Sequence, residues 1–225
     1  MQKEQQKEDA NTARAVRGLE HSDSSIRLRV ALAMGTSPDS RYVDKLIERC
    51  AIEPEFLVRE MLTWAITRHS GAMTVPRLID ELRPERAPQA RSQALHTLSK
   101  IGDRQAWPAI TRALLADTDD EVARTAWRAA VALVPEGEEP ELAGALATQL
   151  GRGEREIQMS LSRALIALGE TVMPTLRAAT EGSSFRVRVH AVATERLSRD
   201  PEAGFERAIE EAKRTVALGA TGQGE

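Results

Sequence analysis

Glu55-Phe56-Leu57-Val58-Arg59-Glu60-Met61-Leu62-Thr63-Trp64-Ala65-Ile66 recurs in outline along the chain. Its core is an apolar residue followed by arginine, then a core position three residues on and an Ala or apolar position three further on. The same core begins at Ile26-Arg27, Ala90-Arg91, Ala123-Arg124 and Val187-Arg188, with a degenerate copy at Gln158-Met159. Successive motif arginines stand 32, 32, 33 and 64 residues apart, the last step being two periods. A fixed period between 20 and 50 residues marks a chain built from stacked supersecondary units.

Working outward, each unit holds two stretches with apolar residues at helical spacing. Acidic or small polar residues open the second stretch: Asp23, Glu53-Pro54-Glu55, Asp119-Asp120-Glu121 and Ser184. Such residues cap helix N-termini and favour the positive end of the dipole. Gly35, Gly71, Gly102, Gly137 and Gly169 follow the second stretches, where a helix ends on a left-handed residue. Pro76, Pro108 and Pro174 mark the first stretches, 32 and then 66 residues apart. The pattern predicts first helices over 9–20, 40–52, 73–83, 104–116, 139–150 and 171–181. It predicts second helices over 24–34, 55–69, 87–100, 120–134, 154–168 and 184–198. A polar extension (1–8), a single array (9–200), a capping helix (201–218) and a flexible tail (219–225) complete the expected organisation. Phe205, Ile209, Ala212 and Val216 give the capping helix one apolar face.

Aromatic residues make up 3% of the chain and apolar residues 41%, so Ala and Leu carry the core. That composition suits closely packed helices rather than a β-sandwich. One cysteine, Cys50, excludes an intramolecular disulfide, fits a reducing compartment and reads as core filler. The polar N-terminus lacks an apolar signal segment, and no apolar run has the length of a membrane span, so the expected location is cytoplasmic.

The proline of the first helix and the Asp/Glu-x-x-Val-Arg opening of the second resemble the HEAT repeat family, specifically its short bacterial members. Here the opening reads Asp23 to Arg27, Glu55 to Arg59 and Asp120 to Arg124, and the resemblance spans roughly residues 10–200. It implies an all-α fold: a right-handed α-solenoid of about six helix pairs with a C-terminal capping helix, its concave face lined by the second helices. It also implies a structural ladder made by Arg27, Arg59, Arg91, Arg124 and Arg188 with Asp23, Glu55 and Asp120. Ala87, Ser184 and Met159 depart from the motif and predict interruptions of that ladder.

Function is less legible. The net charge is -3, which excludes a bulk-basic nucleic-acid binder. The predicted second helices nonetheless carry thirteen Lys/Arg against two Asp/Glu over 26–34, 58–69, 90–100, 123–134, 157–168 and 186–199. The helical wheel turns Leu28, Leu32, Glu60, Trp64, Leu95, His96, Arg128, Arg163, Val189 and Val192 away from the core. Trp64, Leu95, His96, Arg128, Arg163, Val192 and Arg196 are therefore the candidate partner-binding residues, an arginine-rimmed and partly apolar surface suited to an acidic protein or peptide. Trp127 and Trp107 read as packing residues. Self-association through the apolar face is a further reading.

His21, His69, His96 and His190 have no metal-ligand spacing, and no phosphate-binding glycine motif or activated nucleophile is present, so no metal, cofactor or catalytic residue is expected. The alternative is a nucleic-acid binder or a HEAT-like alkylpurine DNA glycosylase, with Glu60 as carboxylate and Trp64 and Arg128 as nucleotide contacts. The single tyrosine, Tyr42, gives it a thin aromatic set.

Overall fold

Helices form over most of the stretches where the apolar spacing asks for them. The computed structural model describes residues 12–182 and 184–221, and no strand occurs among them. The expected extension over 1–8 lies outside the described residues, as does 222–225 of the expected tail. No helix among the described residues is long and apolar enough to cross a membrane.

The chain divides into two compact units, Met1–Ala109 and Ile110–Glu225. In the first, α1 covers 12–18. It is followed by α2 (Ser24–Thr36), α3 (Val43–Ile52), α4 (Phe56–Thr67), α5 (Gly71–Asp80) and α6 (Pro88–Ile101). Helix α2 packs on α4 and α4 on α6, while α3 packs on α5 and reaches both α4 and α6. In the second unit stand α7 (Arg112–Leu115), α8 (Asp120–Leu133), α9 (Glu139–Ala147), α10 (Arg155–Ala167), α11 (Met173–Thr180), α12 (Phe185–Arg199) and α13 (Phe205–Thr221). Here α8 packs on α10, α10 on α12 and α12 on α13, with α9 against α11.

Capping follows the sequence in part. Asp23 accepts from the Ser25 amide, and Asp119 accepts from the Glu121 and Val122 amides. Glu55 and Ser184 make no side-chain cap bond. Gly102 is left-handed (φ 71) and ends α6 as expected. Gly35 is a correction: it lies inside α2, where an added Cβ would stand 2.3 Å from Trp64 Cζ3 and 2.8 Å from Ala65 Cα. Its purpose is the close approach of α2 and α4, not chain reversal. Gly71 likewise opens α5 rather than closing α4.

The single helix expected over 104–116 is broken. A 3-10 stretch, Arg104–Ala109, contains Pro108, and only Arg112–Leu115 returns to α geometry. Pro108 lacks the amide proton that an α-helical interior uses. The expected tail also begins late, because α13 runs to Thr221.

The core is aliphatic. Leu46, Leu62, Leu95 and Leu146 are fully buried, as is Trp127, whose indole Nε1 donates to the Leu115 carbonyl at 2.8 Å. Cys50 is buried and its thiol is pushed up to about 11 by burial, so it stays protonated as filler.

The expected Asp–Arg ladder is replaced by another arrangement. Arg59 Nη1 donates to the Glu53 and Pro54 carbonyls, and Arg91 Nη1 donates to those of Pro84 and Arg86. Arg27 makes a buried carboxylate pair, and its partner is Glu53, not Asp23 or Glu55. Its Nε and Nη2 reach Glu53 Oε2 and Oε1, each at 2.7 Å, while Nη1 donates to the His21 and Ser22 carbonyls. Arg124 meets Glu121 at a long 3.5 Å, and Asp120 pairs with Arg152 at 2.8 Å. The reason is geometric: an arginine in the first turn lies over the preceding loop, whose unpaired carbonyls accept from Arg27, Arg59 and Arg91. Besides the Arg27–Glu53 pair, stitching between successive repeats comes from residues outside the motif. Gln89 donates to the Glu53 carbonyl, Arg152 to that of Asp117, and Arg186 to that of Gly153.

His190 performs a related task inside the second unit. It is fully buried, and its Nδ1 accepts from the Gly151 amide at 3.0 Å. The proton therefore sits on Nε2, which donates to the Gln158 carbonyl at 3.0 Å with Ser162 Oγ also at 3.0 Å. The Thr194 hydroxyl donates to the His190 carbonyl, so the Ser162 hydroxyl donates to Thr194. Burial pushes the imidazole down to about 4 from 6.5, against the opposing pull of the Gln158 carbonyl. The folded state thus binds this proton more weakly than the unfolded chain. Stability should be full above pH 6.5, fall as the pH drops towards 4, and lose roughly 3 kcal/mol from this group in total. Urea unfolding from pH 7 to 4.5 checks it, and in His190→Gln the slope over that window should flatten.

Candidate functional site

The candidate residues fall in both units, so each surface stands by itself. In the first unit Trp64 is 39% exposed and Leu32 42%, on α4 and α2. Part of the Trp64 ring rests on the Gly35 backbone. Trp64 is thus a packing residue as well as a surface one. His96 on α6 is half-buried, with Nε2 3.4 Å from Glu60 Oε1. Leu95 is a correction: it is fully buried. A second helix flanked by others on both sides buries a wider sector than the single stripe assumed from the wheel. Val189, 5% exposed, is buried for the same reason. Ile52, Phe56 and Leu57, all exposed at the α3–α4 turn, were not singled out by the sequence reading.

In the second unit the structure brings Arg128 and Arg163 together. A cleft of about 230 Å³ opens between α8 and α10, with Arg124, Arg128 and Arg163 at its sides and Val131, Met159 and Ala164 among its apolar lining. Arg128 Nη2 donates to Thr125 Oγ1 at 3.0 Å and lies 3.4 Å from Glu121 Oε1. Arg163 is exposed and has no hydrogen-bond or ion-pair partner among the described residues. Glu156 is the one carboxylate on the cleft wall.

Val192 and Arg196 have a different fate. Helix α13 lies over them. Phe205, Ala208 and Ala212 of α13 join Val189, Ala193 and Leu197 of α12 in one buried cluster, with Val192 partly buried against it. Arg196 Nη1 pairs with Glu211 at 3.1 Å and Nη2 donates to Thr215 Oγ1 at 2.6 Å. Arg155 of α10 pairs with Glu206 at 2.8 Å. The expected open face is therefore covered at the last second helix, because α13 has its own apolar stripe to bury. The alternation of Phe205, Ala208 and Ala212 with Glu206 and Glu211 was the signal available in the sequence.

No family model matches the chain, and no curated protein matches it. Solved structures do match. One is a crystal structure described as an engineered protein of the Northeast Structural Genomics Consortium, 17% identical, with a TM-score of 0.48 over 93% of this chain and 97% of that one.

Proposed function

We propose that the chain is a non-enzymatic scaffold, a HEAT-like α-solenoid of about six helix pairs that binds an acidic protein or peptide. The recurrence near 32 residues and the helix-on-helix rows within each unit support the repeat architecture. The observation that carries the binding reading is the α8–α10 cleft: three guanidinium groups over an apolar floor, with Arg163 unpartnered among the described residues. The long, exposed contact of Arg128 to Glu121 costs little to exchange for a partner's carboxylates. Apolar contact on the floor supplies affinity, and the arginines supply steering and register.

Capture from nuclease-treated lysate tests this. The immobilised wild type should retain a protein partner that Arg128→Glu/Arg163→Glu loses, while the two proteins unfold alike in urea. Both substituted side chains are exposed, so folding should move by no more than about 0.5 kcal/mol. Retention by both proteins alike contradicts the assignment, and binding that vanishes with nuclease favours nucleic acid instead.

A further inference from the structure

Helix α13 is this chain's own example of what the second-helix face of its second unit accepts. It presents a large residue, Phe205, then small ones at Ala208 and Ala212, with Ile209 and Val216 beside them. Acidic side chains flank that stripe and reach arginines of α10 and α12, Glu206 to Arg155 and Glu211 to Arg196. The arrangement joins two features: an apolar stripe at helical spacing and carboxylates placed to meet a basic rim.

The surface continues past α13. Beside Phe205 lies a cleft of about 390 Å³ that also touches Ile166 and Leu197. It shares Met159, Arg163 and Ala167 with the α8–α10 cleft. The two clefts meet at these residues of α10, with Arg163 common to both, and Phe205 of α13 walls the second. Arg155 and Arg196 are matched by α13 carboxylates, whereas Arg163 is matched by none. The vacant stretch repeats the chemistry of the filled one.

Resting on the scaffold reading above, we propose that the α8–α10 cleft is a docking surface for an amphipathic helix of a partner protein that carries carboxylates beside its apolar stripe, bound beside α13. The partner helix carries a large apolar residue at i, small or apolar residues at i+3, i+4 and i+7, and acids near i+1 and i+6. Its apolar stripe sits over Met159 and Ala167, and its carboxylates meet Arg128 and Arg163.

The probe is a fluorescein-labelled peptide with the sequence of α13, titrated by anisotropy into the full chain. A second peptide carries Ala208→Pro and Ala212→Pro, keeping charge and most apolar content but breaking the helix. The wild type should bind the first peptide at least about tenfold more tightly than the second, and Arg128→Glu/Arg163→Glu should lose about tenfold or more. Equal binding of both peptides overturns the helix assignment and leaves a non-helical partner, so the scaffold reading survives. Binding lost in Arg196→Glu but unchanged in Arg128→Glu/Arg163→Glu means exchange with the resident α13, and it overturns the cleft assignment. No binding of the helical peptide to the wild type overturns the proposal outright.

Discussion

Glu53→Ala should lower the unfolding free energy by about 3–5 kcal/mol, the cost of leaving a buried guanidinium without its counter-charge. Glu53 is fully buried and holds Arg27 through both carboxylate oxygens. Arg49 Nε and the Glu55 amide add bonds of 2.9 and 3.0 Å, so every direction around the carboxylate is filled. Its backbone carbonyl accepts from both Arg59 and Gln89. One residue thus ties together α2, α3, α4 and α6. Burial pushes the Glu53 carboxyl up, but the hydrogen bonds from Arg27, the Glu55 amide and Arg49 outweigh it and hold the group at about 2. The folded value lies below the unfolded 4.5, so this contribution is complete above pH 4.5 and is lost as the pH falls towards 2. Urea unfolding near neutral pH reads the alanine variant. Arg27→Met/Glu53→Leu should recover much of the loss, because it removes both charges together. A loss below about 1 kcal/mol in Glu53→Ala would contradict a buried pair at this node.

Trp127→Ala should cost about 3–5 kcal/mol, the range for truncating a fully buried aromatic side chain. Trp127 fills the space between α8 and α7, and its Nε1 donates to the Leu115 carbonyl at the end of α7. A four-residue helix cannot hold its own geometry, so its carbonyl needs a partner from outside. Trp127→Phe separates the two contributions. It keeps most of the volume, strands the carbonyl, and should cost about 1–3 kcal/mol. Circular dichroism followed through urea gives both values; a loss near zero in Trp127→Phe would contradict the hydrogen-bond share, and equal losses for the two variants would contradict the packing share.

Much of the helical framework was legible because it rests on local rules. The period, the caps at Asp23 and Asp119, and the left-handed Gly102 depend on residues within a turn or two of each other. The proline marker misled at Pro108, where a missing amide proton changed the helix type. The misassigned features depend on distant neighbours. Glu53 reads as one of several capping acids, and nothing in the adjoining sequence distinguishes it from Glu55. The backbone does not separate them either, since both are extended with ψ 120. Gly35 reads as a helix end because the Trp64 ring that requires it lies in the next repeat. Leu95 and Val189 were placed outward by a wheel that counts one buried stripe, whereas stacked helices bury two flanks. At the candidate site, Arg128 and Arg163 are exposed and share one cleft. Arg196 and Val192 were singled out without the helix that covers them, since amphipathic spacing in α13 says that a face is buried but not against what.

The most direct test of the binding account is photo-crosslinking from Ala167, an exposed residue common to both clefts along α10. A benzophenone side chain placed there, with a control at exposed Arg177 on α11, would be irradiated in lysate. The account predicts a protein adduct specific to position 167, resistant to nuclease, weakened by salt and absent from Arg128→Glu/Arg163→Glu. Adducts of equal yield from both positions, or an adduct that is nucleic acid, would contradict it.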